Sequence, residues 1–376
     1  GDCAVMAGVL VGRLVAALES LECGSALPLA PPAEEAEKAG KDLRQLLQLG
    51  CTDGCTAQQA QLAQRTIAAL LSTPSHAQCI CRALDVATRT IAQIDAASDV
   101  DTAEAGLMRW GHLRVNLLAV LLHSASSEER SVQLVQWTEG EGARGAAAAC
   151  LELIDSAAAR VDRDGVSFAA NVLRNLSMPP ANRACIGGLT TSRGGLDPLR
   201  CIERALAHAE PASACLLAAS ARLLVEGCAH NSRRYLAASG GGGPFASLLA
   251  LDMAHVHPHA RVELARFACH VIVAARTPRE PGGSLCVPED VRAVLLDARV
   301  LNMGPCFLLS SNHKGLHVEA LDALRVARAL STDSAPWPGS LLYVMKNGEP
   351  PLSLIAILER LVETGGLTKE EAEPFL

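Results

Sequence analysis

A chain of 376 residues is long enough for two ordinary domains or for one elongated array of repeats. Apolar residues make up 49% of it but aromatics only 3%, so alanine, leucine and valine must supply the core, which suits closely packed helices better than sheets. The formal charge of −7 argues against a global basic field that recruits nucleic acid, and a mean hydropathy of +0.22 argues against disorder.

From the N-terminus, the run Ala4 to Leu18 is apolar but carries Arg13, with no basic region before it and no cleavage pattern after it. It reads as an amphipathic helix rather than a signal peptide. Gly1 makes a poor acylation site, because Val5 stands where Ser or Thr is preferred. No later stretch reaches the length of an uninterrupted transmembrane span. Leu29 to Lys38 and Thr277 to Ser284, both rich in proline and charge, are read as exposed loops. In Ile67 to Leu71, Leu117 to Leu122 and Ala218 to Val225 apolar residues cover more than one helical face, which predicts helices buried between two others.

One segment organises the chain. Asn171-Val-Leu-Arg-Asn-Leu-Ser-Met-Pro-Pro-Ala-Asn-Arg-Ala-Cys-Ile-Gly-Gly has the form of a helix ending at Leu176, a proline break, a short helix carrying Asn182-Arg183 and a glycine turn. A helix led by Pro198 follows. The order recurs as Ala221 to Cys228, Asn231 to Gly240 and a helix led by Pro244, and again as Leu324 to Ser331, Leu341 to Gly348 and a helix led by Pro351. With weaker copies, apolar helices end near Leu18, Leu71, Leu122, Leu176, Val225, Val273 and Leu330, spaced by 53, 51, 54, 49, 48 and 57 residues. That rhythm predicts six or seven units, more than the roughly three that a stable stack needs.

These residues resemble the armadillo-repeat family, whose units combine a short Asn-Arg helix, a glycine turn, a Pro-led helix and a longer third helix ending in Asn-Leu. The resemblance is good over about Asn171 to Pro244 and Leu324 to Leu358 and is a rhythm elsewhere; HEAT-like geometry is the neighbouring alternative. It implies an all-α, right-handed α-solenoid over residues 1–376 as one domain, with an N-terminal capping part at 1–60 and a polar C-terminal cap at 352–376. The helix content is expected at roughly 60–75%, against a usual one of about a third, with essentially no sheet.

In that family the third helices line a concave groove, which the resemblance extends to Asn175, where an amide can both donate to and accept from a peptide backbone. Taking the same helix in successive units gives Arg65, Asn116, Asn171, Arg174, Arg222, Arg266, His270, Arg325 and Arg328, a basic stripe in an acidic protein that would suit an acidic or polar extended segment. The competing reading makes them capping or inter-repeat residues. Leu121, Leu224, Ile272 and Ala329 occupy the asparagine position in other units, so a regular asparagine ladder is not expected.

Other chemistry is thinner. His255, His257 and His259 alternate and are a weak metal candidate without a matching cysteine pair; the plainer reading is a solvated loop between helices. Cys51 with Cys55 and Cys79 with Cys81 have no zinc or redox spacing. Gly240 to Gly243 lacks the Gly-Lys-Ser/Thr of a phosphate loop, and no Gly-x-Ser-x-Gly occurs. The 14 cysteines are scattered through helical runs, where Cys150, Cys215 and Cys269 read as small packed hydrophobes, so a reducing, intracellular and most simply cytoplasmic setting is expected. The chain therefore reads as a non-enzymatic scaffold or adaptor without cofactor, binding a protein segment along the groove or docking as a subunit of an assembly. The alternatives are a nucleic-acid-binding helical repeat, disfavoured by charge and scarce aromatics, and an enzyme with an unrecognised site.

Overall fold

The computed structural model describes residues 2–23, 33–51, 65–96, 100–138, 145–156, 162–189, 197–237, 243–253, 255–276, 287–311, 314–331, 337, 343–344 and 352–375. Helix accounts for 82% of it, and the structure is all-α apart from one two-residue antiparallel pair. Two compact units are described, Gly1–Cys201 and Ile202–Leu376. Among the described residues no single helix is long and apolar enough to cross a membrane.

The first unit is built from α1 (Asp2–Cys23), α2 (Ala33–Cys51), α3 (residues 65–70), α4 (Pro74–Ala96), α5 (Val100–Ser124), α6 (Glu128–Thr138), α7 (Ala146–Ile154), α8 (Arg163–Ser177) and α9 (Pro180–Gly188). The helix α10 (Pro198–Leu206) contains the boundary. Two layers form: α1, α4 and α7 stack side by side, and so do α2, α5 and α8. The layers meet through α1 on α2, α4 on α5 and α7 on α8. Leu113, Leu117 and Leu121 of α5 are fully buried, as a helix with neighbours on both flanks requires.

Residues 33–38, expected in a loop, begin α2 instead. The reason is a stripe of buried Ala36, Ala39, Leu43 and Leu46, at helical spacing, with Glu37, Lys38 and Lys41 on the more open side. It is α2 that stacks on α5; Arg65 opens α3 and is exposed.

The second unit contains α11 (Pro211–Val225), α12 (Ala229–Ala237), α13 (Ala246–Leu249), α14 (Pro258–Ala274), α15 (Glu289–Leu295), α16 (Ala298–Leu301), a π-helical turn at Asn302–Cys306 and α17 (Phe307–Ser310). A 3₁₀ turn at Lys314–Leu316, α18 (His317–Leu330), β1 (Tyr343–Val344), β2 (Leu352–Ser353), α19 (Leu354–Glu363) and α20 (Lys369–Ala372) complete it. The long helices α11, α14 and α18 lie in a row, with α12 against α11 and α14 and the π-helical turn against α14 and α18. Pro305 sits inside that turn, where the wider winding accommodates a residue with no N–H.

Two expected Pro-led helices differ. After Pro244, Phe245 takes a left-handed conformation (φ 63°), held by its N–H donating to Tyr235 Oη at 2.7 Å and by ring contacts with Tyr235 and Phe267. The buried Glu203 carboxylate accepts from Ser247 N at 2.9 Å and from Tyr235 Oη at 2.9 Å, satisfying an open N–H at the start of α13, which is one turn long. In the copy at Leu341 to Leu358 the expected short helix is replaced, at Tyr343–Val344, by pairing with Leu352–Ser353, and α19 starts at Leu354 with Ser353 as its cap rather than at Pro351.

Candidate functional site

The helices α11, α14 and α18 each leave one stripe partly open. On α11 it is Cys215, Ala219 and Arg222, continued by Glu226 just past the helix end; on α14 it is Glu263, Arg266, His270 and Val273; on α18 it is Val318, Asp322, Arg325 and Ala329, with Glu319 beside them. Spacings of three and four residues keep each stripe on one face. Because the helices lie in a row, the three stripes together make one surface.

Charge on this surface is paired across helices. Arg222 Nε donates to Glu263 Oε2 at 2.7 Å, and Arg222 Nη1 donates to Glu226 Oε2 at 2.9 Å. Arg266 Nη2 lies 3.5 Å from Glu226 Oε1, while Arg266 Nε and Nη2 donate to the two oxygens of Glu319 at 3.0 and 2.8 Å. His270 Nε2 stands 3.9 Å from Glu319 Oε2. The side chains of Arg222 and Arg266 are only 14% and 18% exposed, so water screens these pairs weakly. Hydrogen bonding to Glu319 holds Arg266 above its ordinary pKa. His270 is held below its ordinary value by burial, which outweighs the pull of Glu319 and Glu226. The expected basic stripe is thus interleaved with carboxylates: Arg222 and Arg266 are engaged cations, and a purely acidic segment would meet Glu226, Glu263 and Glu319 as well.

Those three glutamates were absent from the sequence reading, which followed basic and amide positions only. Glu226 is four residues after Arg222 and Glu263 three before Arg266, so writing out both signs along each stripe would have found them. Arg325 pairs with Asp322 one turn back at 2.9 Å, and the Arg328 guanidinium lies 6.0 Å from the centre of the Phe375 ring.

In the first unit the corresponding residues also sit on half-buried positions of α5 and α8. Asn116 Nδ2 donates to Gly40 O at 2.9 Å, tying α5 to α2. Asn171 is half-buried, and Asn175 Oδ1 accepts from Arg174 Nη1 at 3.2 Å. The Asn-Arg signature has a local purpose. Buried Asn182 donates to Leu176 O at 2.9 Å, and Arg183 donates to Ser177 O and Met178 O, so both close the open carbonyls at the end of α8. Asn231 repeats the device on Leu224 O at 2.7 Å, which explains why the two segments look alike in sequence.

The histidine run begins α14: His257 is its cap and Pro258 its first residue, while His255 pairs with Asp252 at 2.8 Å. Among the described residues no group of three or more His, Cys, Asp or Glu is arranged to hold a metal ion. Cys79, Cys81, Cys150, Cys201, Cys269 and Cys306 are buried thiols; Cys55 and Gly240 to Gly242 lie outside the described residues, and Cys51 is described only as the last residue of α2. No protein family matches the chain, and no curated protein matches it.

Proposed function

We propose that the chain is a protein-interaction scaffold of the stacked-helix, armadillo or HEAT-like solenoid kind, and that it receives its partner on the face shared by α11, α14 and α18. One observation carries this reading: three successive long helices bring partly open stripes into a single surface containing paired charges and the exposed Val273 and Val318. The side-by-side stacking of α2, α5 and α8 in the first unit supports the same repeat principle. A suitable partner segment would lay apolar side chains on Val273 and Val318 and offer both donors and acceptors to the Arg222–Glu319 ladder. Buried thiols support a reducing, intracellular compartment.

The test is recovery of partner by the full chain under reducing conditions, comparing Val273→Asp/Val318→Asp with Val9→Asp. All three residues are exposed, at 36%, 60% and 68%, so each substitution should leave the fold within about 0.5 kcal/mol of wild type. The reading requires the double variant to lose a protein that wild type and Val9→Asp retain. Retention by all three removes this face from the proposal.

A further inference from the structure

The open stripe of α11 begins with a pair of groups that the scaffold reading does not use. Cys215 Sγ lies 3.2 Å from His257 Nδ1, across the gap between α11 and the start of α14. His257 Nδ1 also accepts from His259 N at 3.3 Å as the cap of α14, which leaves that nitrogen a lone-pair carrier and makes the thiol the donor. The His257 ring stacks on that of His259 with 5.4 Å between centres. The Ala260 backbone N–H, in the first turn of this 17-residue helix, pulls the Cys215 pKa down. A thiol is therefore held against a base, the arrangement in which a neighbouring imidazole activates a nucleophile by taking its proton.

We propose that Cys215 and His257 form an oxidation site whose substrate class is a small hydroperoxide. Cys215 Sγ bonds to one peroxide oxygen as the O–O bond breaks. Sulfur is oxidised by two electrons to the sulfenic acid, and the peroxide is reduced. The thiol proton passes through His257 Nδ1 to the departing oxygen, which leaves as water when the oxidant is hydrogen peroxide. This return of the proton is why a hydroperoxide fits better than an alkylating electrophile, since hydroxide is a poor leaving group without it. Burial first, then the nearby Glu263 carboxylate, holds the Cys215 thiol above its ordinary pKa against the Ala260 N–H, so the resting group is the thiol and the imidazole is needed. The other titratable groups near the pair are His259 and, farther along the same loop, His255 with Asp252.

The full chain, reduced and freed of reductant, is exposed to limiting hydrogen peroxide with dimedone present, and each cysteine's adduct is followed by peptide mass spectrometry. Cys215 should be trapped at least about tenfold faster than the more exposed Cys185. In His257→Asn, which keeps an acceptor for the His259 N–H but lacks the base, the Cys215 rate should fall to that of Cys185 or below. An unchanged circular dichroism melt shows that α14 still starts correctly. If Cys215 reacts no faster than Cys185 in the wild-type chain, the proposal fails, and that comparison decides alone should the variant not fold. An undiminished rate in a folded His257→Asn overturns it equally. Neither result bears on the α11–α14–α18 docking face.

Discussion

Arg266 on α14 grips Glu319 on α18 side-on, with Nε and Nη2 donating to separate carboxylate oxygens at 3.0 and 2.8 Å. A guanidinium edge and a carboxylate match in this way because their donor and acceptor spacings coincide. Removing Arg266 would strip Glu319 of its guanidinium partner and Glu226 of one of its two cations, while Arg222 stays on Glu226 and Glu263. Arg266→Ala should therefore cost about 1.5–3 kcal/mol, whereas Arg325→Ala, whose pair with Asp322 is exposed, should cost under about 1 kcal/mol. Urea unfolding of both variants checks this; equal costs would mean that the inter-helix pairs hold nothing together.

Buried Arg114 on α5 meets the Asp162 carboxylate, which also caps α8 by accepting from Gly165 N at 3.0 Å. Burial holds Arg114 below its ordinary pKa despite the attraction of Asp162. Asp162→Ser keeps a capping oxygen but strands the cation, and should cost about 3–5 kcal/mol. Adding Arg114→Leu to that variant should recover part of the loss. A cost for Asp162→Ser within about 0.5 kcal/mol, the range of ordinary surface changes, would contradict the assignment.

His270 gives the ladder a pH dependence. Its pKa in the folded chain lies below the ordinary 6.5, so the unfolded chain binds the proton more readily. The native state is then favoured above that value and loses stability as pH falls through it toward the folded pKa. The slope of stability against pH in this window should be shallower in His270→Gln than in wild type. A wild-type chain that gains stability from His270 on acidification would show Glu319 and Glu226 outweighing burial.

Gly304 lies where the π-helical turn crosses α14, and a Cβ there would come within 2.9 Å of Ala268 Cβ. Gly304→Ala should destabilise by about 1–3 kcal/mol through overpacking. Gly111, inside α5 with open space around it, should instead gain about 0.5–1 kcal/mol as alanine. The two melting temperatures should move in opposite directions.

The helix ends were legible where an apolar run stops at a turn: Leu122, Leu176, Val225, Val273 and Leu330 fall within two residues of the ends of α5, α8, α11, α14 and α18. Leu71 likewise falls one residue past α3, whereas α1 runs on beyond Leu18 to Cys23, and α2, which hides four buried residues among charges, is passed over by a reading of apolar runs. Arg222, Arg266, His270 and Arg325 occupy open or partly open positions of α11, α14 and α18, which helical period alone can place. Their partners were not legible: Glu263 and Glu319 reach Arg222 and Arg266 from 41 and 53 residues away, and Cys215 meets His257 across 42. Such pairings depend on which helices become neighbours, which no local pattern states.

The central claim is that a partner protein lies along α11, α14 and α18. Photo-crosslinking tests it most directly, with a benzophenone amino acid placed in turn at Ala219, Val273 and Val318 on the face, and at Val9 on α1, in the full chain in its native setting. The account predicts that one and the same polypeptide is captured from all three face positions, through neighbouring peptides, and not from Val9. Capture from Val9 with equal yield, or no adduct from any of the three face positions, would contradict it.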